Sequence, residues 1–335
     1  YFPVVAFLRV VGLALVLFVG GRRVINGEMT IGSLVVFLLY LDWFFQPIIN
    51  LANVYNLMQA ALAALGKLFG LLDTPAEVQE RPGAFDLAMP PAGGLRFTDV
   101  SFGYEPSNPV ITGLDLRIPP GQRIAVVGET GAGKSTIAKL LLRFYDPTNG
   151  VVSIDGEDLR DLTFSSRSTA ITLIPQDGFL FNGTLRDNFR YGKPDATDQE
   201  IWDVCRAMGI ADWVRGLPDG LDTEVRERGS RFSAGERQLV ALGRAFLVEP
   251  AVIVLDEATS NLDPETEVEV EGALRVLLAD RTAVVMAHRL RSAERADRVV
   301  MIDRGEIIAD GAHNELVDGN TDYRRLVEVW ERGLA

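Results

Sequence analysis

A glycine-rich segment of nine residues constrains this chain more than any other feature: Gly128-Glu129-Thr130-Gly131-Ala132-Gly133-Lys134-Ser135-Thr136. It fits the pattern G-x-x-x-x-G-K-[ST], whose glycines let successive backbone N–H groups turn toward phosphate oxygens. The helix expected to follow adds unpaired N–H groups and the positive end of its dipole. Lys134 can reach the β- and γ-phosphates of a nucleotide, and the Ser135 hydroxyl can ligate Mg²⁺. The segment therefore predicts a phosphate-binding loop.

The residues on either side of the loop fit the same interpretation. Residues 123–127 form an apolar run that predicts a buried strand, and residues 137–144 predict the apolar face of a helix. The alternative is a glycine-rich turn without a ligand in an ordinary strand–helix unit.

Charge is distributed unevenly along the 335 residues, whose net charge is −13. Residues 1–75 hold four basic and three acidic side chains and so carry +1, which leaves −14 for the remainder. The acidic balance argues against a nucleic-acid-binding surface. The single cysteine, Cys205, excludes an internal disulfide, and its apolar and charged neighbours at helical spacing indicate a structural role. Because the chain opens on Tyr1 in an apolar run, we expect a piece of a longer protein rather than a signal peptide.

Two long apolar runs, residues 2–19 and 31–49, each approach the roughly 20 residues that cross a bilayer. They predict two membrane spans joined by a short polar loop; the alternative is a pair of buried helices in a soluble core. No strong stop follows the second run before residue 73, so a helix over residues 31–72 would be about 60 Å long.

Three residues interrupt these apolar runs. Arg9 and Asp42 are costly at membrane depth, so each is a candidate for a substrate pathway or an interhelix pair. Alternatively, Arg9 extends to the membrane surface, and Asp42 pairs with Gln46 or with a helix that is not part of this sequence. Pro47 predicts a kink in the second span.

The rest of the chain predicts an α/β fold. Residues 74–94 are rich in proline and glycine and indicate a linker. Strand-like and helical runs then alternate around the phosphate loop, which indicates a parallel α/β core. An antiparallel flank, including a hairpin over residues 298–309, and a helix-rich insertion over about residues 187–248 complete the expected architecture.

A second group of polar residues follows the apolar strands. Residues 252–255 predict a buried strand that ends in Asp256 and Glu257. Asp256 can hold Mg²⁺ directly or through water, and Glu257 can orient or deprotonate an attacking water. His288 follows the next predicted strand, which can bring it near the γ-phosphate; the alternative is a packed or solvated histidine. We interpret His313, in a polar helical stretch, as structural.

Ser233-Ala234-Gly235-Glu236 fits the capping box that starts a helix. The helix start can be only a cap, or it can also bind an anion with its free N–H groups.

With these motifs in this order and spacing, the chain resembles the C-terminal portion of an ABC transporter half-subunit of the exporter type. The resemblance covers essentially all 335 residues. It implies a P-loop NTPase of the ABC type, with a RecA-like core, an antiparallel β flank and a helical subdomain, preceded by an all-α transmembrane fragment. The implied boundaries are residues 1–73 for the membrane part, with helices over about 2–20 and 31–72, then 74–94 for the linker and 95–335 for the nucleotide-binding domain.

The resemblance also implies roles for single residues. Tyr104 resembles the aromatic residue that stacks on adenine, although by its chemistry it could equally be a strand aromatic. Gln176 resembles the residue that touches Mg²⁺ or the attacking water and links to the membrane domain. Glu257 resembles the catalytic glutamate and His288 the switch histidine.

Further segments look like the parts of the family that face a partner. Residues 233–236 resemble the signature motif, and Ser260-Asn261-Leu262-Asp263 resembles the D-loop, with Asp263 at the nucleotide. Residues 180–188 and 223–229 look like the segments that face the coupling helices.

The chain departs from the family at the signature motif. Ala234 stands where glycine is usual and Glu236 where glutamine is usual, and Asn261 replaces the commoner alanine of the D-loop. A methyl group restricts the approach of a backbone and a carboxylate adds negative charge near phosphate. These departures predict a weaker half-site.

The resemblance implies an exporter subunit that binds ATP and Mg²⁺ and pairs head to tail with a second half-subunit, identical or paralogous. It implies an integral membrane protein in contact with lipid, with the nucleotide-binding domain in the cytosol, an unidentified transported substrate and no nucleic-acid partner. One alternative is a membrane-tethered scaffold whose ATP occupancy gates a partner without transport. Another, a soluble ABC ATPase of DNA repair or translation, is opposed by the two apolar runs and the acidic balance.

Overall fold

The structure is a computed structural model that describes residues 2–105, 107–226, 229–256, 264–287 and 289–332. The chain divides into two compact units, Tyr1–Ala76 and Glu77–Ala335.

The first unit consists of two helices, α1 (Phe2–Ile25) and α2 (Ile31–Leu72), which pack against each other. Thr30 starts α2 by accepting a hydrogen bond from the Ser33 N–H at 3.2 Å, and Pro47 lies inside the helix. Both helices are long and apolar enough to cross a membrane, and no residue of α2 is buried. Large apolar side chains are therefore exposed along both helices, which does not fit a pair of buried core helices.

A charged pair joins the two helices. Nη2 and Nε of Arg9 lie 2.8 and 2.9 Å from Oδ1 of Asp42. The interhelix pair is thus one of the expected arrangements, and it places two opposite charges together where either alone would be costly in a bilayer.

The second unit contains strands and shorter helices. The strands are β1 (Leu95–Phe102), β2 (Ile111–Ile118), β3 (Arg123–Val127), β4 (Asn149–Ile154), β5 (Glu157–Asp158), β6 (Ile171–Ile174), β7 (Gly183–Thr184), β8 (Glu224–Val225), β9 (Val252–Asp256), β10 (Thr282–Met286), β11 (Arg298–Asp303) and β12 (Glu306–Gly311). The helices are α3 (Lys134–Leu141), α4 (Phe164–Ala170), α5 (Leu185–Arg190), α6 (Asp198–Ala207), α7 (Ala211–Gly216), α8 (Ala234–Val248), α9 (Pro264–Leu277), α10 (Leu290–Glu294), α11 (His313–Gly319) and α12 (Thr321–Glu331).

The central sheet has the strand order β12-β11-β3-β10-β9-β6. Its neighbouring strands are parallel except for β12, which pairs antiparallel with β11. Every residue of β3 after Arg123 is buried, and so is every residue of β9 before Asp256. This burial is expected for parallel strands that are covered on both faces. A second, antiparallel sheet has the order β2-β1-β4-β5. The predicted α/β core with an antiparallel flank is confirmed.

Besides a cluster around the buried Tyr323 that joins β3 and β11 to α10, α11 and α12, two hydrophobic clusters meet at the central sheet. One lies between this sheet, α3 and the antiparallel sheet and includes the buried Phe97, Ile137 and Leu141. The other joins the sheet to the helical part that α5 to α8 form, with Phe189 and Leu242 fully buried. The predicted helix-rich insertion therefore has its own packed interior.

The proline-rich segment that precedes β1 is fastened to the second unit. The Asp155 carboxylate accepts hydrogen bonds from the backbone N–H groups of Ala92, Gly93 and Gly94 at 2.7 to 3.1 Å. Further back, Arg81 pairs with Asp161 at 2.8 Å. Residues 77–94 lack regular helix or strand, as a linker would, but they are part of the second unit.

Candidate nucleotide-binding site

The glycines of the phosphate loop have backbone conformations that other residues rarely adopt. Gly128, Gly131 and Gly133 have φ angles of 149°, 88° and 110°. A Cβ atom at Gly128 would overlap the carbonyl oxygen of Ile302, and one at Gly133 would lie 2.7 Å from Cδ1 of Ile111. The backbone conformation favours glycine at all three positions, and at Gly128 the Ile302 backbone also leaves no room for a side chain.

Lys134 is the first residue of α3 and is 5% exposed. Its ammonium group donates hydrogen bonds to the carbonyl oxygens of Gly128 at 2.7 Å and Glu129 at 3.0 Å. The loop is thus curled around the charged end of the side chain. An anion in this loop would meet backbone N–H groups, the start of α3 and one positive charge together.

Tyr104 lies beside the helix that follows the loop. Its hydroxyl is 3.2 Å from the hydroxyl oxygen of Thr136, and its ring is 47% exposed. The ring packs edge-on against Tyr145 at 5.3 Å, and Nζ of Lys139 lies 3.2 Å from the Tyr104 hydroxyl. Sequence reasoning found Tyr104 but missed Tyr145 and Lys139, because nothing in their local sequence distinguishes them from ordinary helix-end residues.

The ends of the parallel strands bring Asp256 to the same edge of the sheet as the loop. Met286 pairs with Val126 on one side and with Asp256 on the other. The Cα atoms of Val126 and Asp256 are therefore two strand spacings apart, about 10 Å. Gln176 follows β6, whose Ile174 pairs with Leu255, so it leaves the sheet at this edge too.

Several predicted residues lie outside the described residues. They are Glu257, Ser260, Asn261, Leu262, Asp263 and His288. Their roles remain predictions.

The donor set at this edge suits magnesium. Mg²⁺ is usually held by one or two protein oxygens together with phosphate oxygens and water. The Ser135 hydroxyl is exposed at the start of α3, the Asp256 carboxylate is half-buried, and the Gln176 amide is exposed. Among the described residues, no group of three or more His, Cys, Asp or Glu side chains is arranged to hold a metal ion.

The capping box predicted at Ser233 is confirmed at the start of α8. The Glu236 carboxylate accepts from the Ser233 N–H at 2.7 Å, and the Ser233 hydroxyl accepts from the Glu236 N–H at 3.2 Å. Ala234 is exposed, whereas Gly235 is buried and a Cβ there would overlap Cγ2 of Thr266 in α9. Packing within this chain therefore requires glycine at position 235, because of Thr266, whereas the exposed Ala234 is under no such constraint.

Helix α8 also holds the segment that contains Gln176. The Gln238 amide, 1% exposed, donates to the Pro175 carbonyl oxygen at 3.1 Å. A Cβ at Gly178 would lie 2.6 Å from the backbone of Arg237. Sequence reasoning missed Gln238, although a glutamine at the edge of the apolar run of α8 was a usable signal for a buried polar contact.

The two segments predicted to face coupling helices lie together. Gly183 in β7 pairs with Val225 in β8. Beside them, the Phe181 and Tyr191 rings stack at 4.1 Å, and Arg244 donates to the carbonyl oxygens of Phe179 and Asn188. Burial lowers the pKa of the Arg244 guanidinium to about 10, so it is still charged at neutral pH.

Phe179, Phe181 and Tyr191 are 40 to 55% exposed and form an aromatic surface over this arginine. An exposed aromatic cluster backed by a fixed charge is typical of a protein contact surface.

The chain is similar to known proteins over nearly its whole length. Residues 111–260 match the sequence family described as ABC transporter. The chain is 40% identical to the uncharacterized ABC transporter ATP-binding protein YknV of Bacillus subtilis over 98% of its own length and 54% of that protein. It is 38% identical to the ATP-dependent lipid A-core flippase of Syntrophus aciditrophicus, with the same two coverages. The chain thus spans about half the length of the curated relatives it matches.

A solved structure leads to the same family. The structure of a bacterial Atm1-family ABC exporter with ATP bound matches 99% of this chain and 56% of that chain, at 36% identity and a TM-score of 0.74. The predicted fold class, an ABC-type nucleotide-binding unit with preceding helices, is confirmed. Taken together with the phosphate loop and the capped helix start at Ser233, these findings establish that the chain carries a domain of the ABC transporter family over residues 111–260 and is similar to an ABC exporter over nearly its whole length.

Proposed function

We propose that this chain is the ATP-binding and ATP-hydrolysing part of a membrane exporter, in which closure and reopening of paired nucleotide units drive substrate movement. The observation that carries the proposal is the placement of Lys134 inside the glycine-rich loop, at the sheet edge where β9 ends in Asp256. This arrangement can grip a triphosphate and offers a carboxylate for the accompanying metal.

Within the site, each residue has a distinct task. Backbone N–H groups of the loop and the Lys134 ammonium hold the β- and γ-phosphates, and Tyr104 supports the adenine ring. Ser135, Asp256 and Gln176 supply oxygen ligands for Mg²⁺, which when bound neutralises charge on the phosphates. Glu257 accepts a proton from the attacking water, and His288 contacts the γ-phosphate.

The partner is a second ABC half-subunit, identical or paralogous, whose signature segment covers this chain's phosphate loop. Residues 233–236 of this chain serve the partner's nucleotide in return. The helices α1 and α2 lie in a membrane with lipid around them, the nucleotide unit faces the cytosol, and the aromatic surface at Phe181 receives a coupling segment.

Replacing Glu257 by glutamine tests the catalytic assignment. In the full-length protein in lipid nanodiscs, Glu257→Gln should lower the turnover of Mg·ATP by about 100-fold or more, because the amide cannot take the proton. Equilibrium binding of labelled ATP should persist, whereas Lys134→Ala should abolish it.

The matched control is Glu269→Gln, which neutralises an exposed carboxylate of α9 and should leave turnover unchanged. Wild-type turnover in Glu257→Gln would remove Glu257 from its role. Undiminished ATP binding in Lys134→Ala would remove the phosphate loop from its role.

A further inference from the structure

Glu236 stands at the signature position where a glutamine is usual, and its carboxylate has two anchors. One oxygen, Oε2, accepts from the backbone N–H of Ser233 at 2.7 Å. The other, Oε1, accepts from the indole Nε1–H of Trp213 at 2.7 Å. Trp213 belongs to α7, 23 residues earlier in the chain, and its ring packs edge-on against the buried Phe232 at 5.9 Å.

The two N–H donors, from Ser233 and Trp213, explain why an acid and not an amide stands at position 236. A carboxylate has two acceptor oxygens, whereas a glutamine amide has one acceptor oxygen and an NH₂ group that donates. Glutamine at position 236 could therefore satisfy Ser233 or Trp213, but it would turn its NH₂ toward the other donor. With Trp213 in this place, the carboxylate is the side chain that fits.

The same contacts decide where the negative charge points. Both oxygens of Glu236 are directed into the helical part of its own chain, to α7 and to the start of α8. Hydrogen bonds from N–H groups partly neutralise the carboxylate, and the side chain is half-buried. The exposed face at the start of α8 then carries Ser233 and Ala234 rather than the acid.

We propose that Trp213 is a positioning residue for the signature segment: it turns the Glu236 carboxylate away from the partner's nucleotide and fixes the cap at Ser233. The inference rests on the proposed pairing of nucleotide units. Glutamic acid at position 236 then need not weaken the half-site, because hydrogen bonds within the same chain hold its negative charge away from the nucleotide.

The test is a double-mutant cycle in the full-length protein in nanodiscs, read as the KM for Mg·ATP. Trp213→Phe keeps the ring packing and removes the donor, so the carboxylate can swing toward the phosphates. Glu236→Gln keeps Trp213 but turns the glutamine NH₂ group toward the Trp213 indole N–H or the Ser233 N–H, so that two donors face each other. Each single variant should raise KM about five- to tenfold. The double variant has neither a freed carboxylate nor an indole N–H opposite the glutamine NH₂ group, so its KM should stay within about threefold of wild type.

Salt separates a freed charge from a packing defect. Because screening shortens the reach of a charge, raising ionic strength from about 0.1 to about 0.5 M should shrink the KM ratio of Trp213→Phe to wild type. Trp202→Phe is the matched control, since Trp202 lies in the same helical part and packs with Arg215 instead. It should leave KM unchanged.

A nucleotide-free measurement reads the contact directly. In protein labelled with 5-fluorotryptophan, the ¹⁹F resonance that disappears in Trp213→Phe should shift in Glu236→Gln. A wild-type KM in Trp213→Phe, a double variant no better than either single one, or an unmoved Trp213 resonance would each overturn the proposal. If the wild-type protein has no ATP turnover at all, the proposed function fails instead, and the ¹⁹F measurement still decides whether Trp213 holds Glu236.

Discussion

At the scale of single residues, Gly128 has the tightest surroundings in the phosphate loop. Its φ of 149° and its contact with the Ile302 carbonyl leave no room for a side chain. We expect Gly128→Ala to abolish equilibrium binding of labelled ATP and to lower the thermal stability of the full-length protein, because the loop must move away from β11.

Gly156 provides the matched control for this substitution. It also has a positive φ, 94°, but no atom lies within 4 Å of its Cβ position. Gly156→Ala should cost only the backbone strain, about 1 kcal/mol, and leave ATP binding intact. Equal losses in the two variants would show that strain alone, and not the contact with Ile302, governs the loop.

At the scale of elements, one glycine lies at a tight contact between α8 and α9. Gly235 faces Thr266 so closely that a methyl group would overlap Cγ2. Gly235→Ala should destabilise the full-length protein by about 1–3 kcal/mol, since α8 and α9 must separate. Thr266→Ser removes the overlapping methyl group, so the double variant should recover most of the loss in a thermal melt.

Gly272, in the same helix as Thr266, tests the opposite situation. It has no atom within 4 Å of its Cβ position, so Gly272→Ala should raise stability by about 0.5–1 kcal/mol through helix propensity. A destabilised Gly272→Ala, or a Gly235→Ala that Thr266→Ser does not rescue, would contradict the packing argument.

At the scale of the whole molecule, the proposed head-to-tail pairing would make each nucleotide site a composite of two chains. Full-length copies that carry Lys134→Ala should be inactive alone, and so should copies that carry Ser233→Arg. A mixed pair of one copy of each variant can be purified by a different tag on each copy. One of its two sites then combines the intact phosphate loop of the Ser233→Arg copy with the intact residues 233–236 of the Lys134→Ala copy. We expect roughly half of wild-type turnover to return.

A pair in which both copies carry Lys134→Ala is the control and should stay inactive. If the mixed pair is as inactive as its parents, the two halves do not come from two copies of this chain. A paralogous partner is then the remaining arrangement, and the same exchange can be made with it.

Local patterns predicted much of the fold because the forces involved act over a few residues. The apolar runs of β3 and β9 indicated strands covered on both faces, and S-x-x-E at Ser233 indicated a capped helix start. The attachment of residues 77–94 to the second unit was harder to predict. Their prolines and glycines indicated a linker, whereas the Asp155 carboxylate that accepts hydrogen bonds from their N–H groups lies some 60 residues later in the chain.

The order of the residues was enough to predict the main chemical features of this protein: a lysine in a glycine-rich loop, an acid at the end of a buried strand, and two helices apolar enough for a bilayer. The partner of each of two charged groups follows from the fold and not from a local pattern: Arg9 pairs with Asp42, and the neutral Trp213 indole donates a hydrogen bond to the Glu236 carboxylate. The reason is physical. A motif is recognisable when its parts are adjacent in sequence, whereas a hydrogen bond between distant helices depends on packing that brings its donor and acceptor within 3 Å.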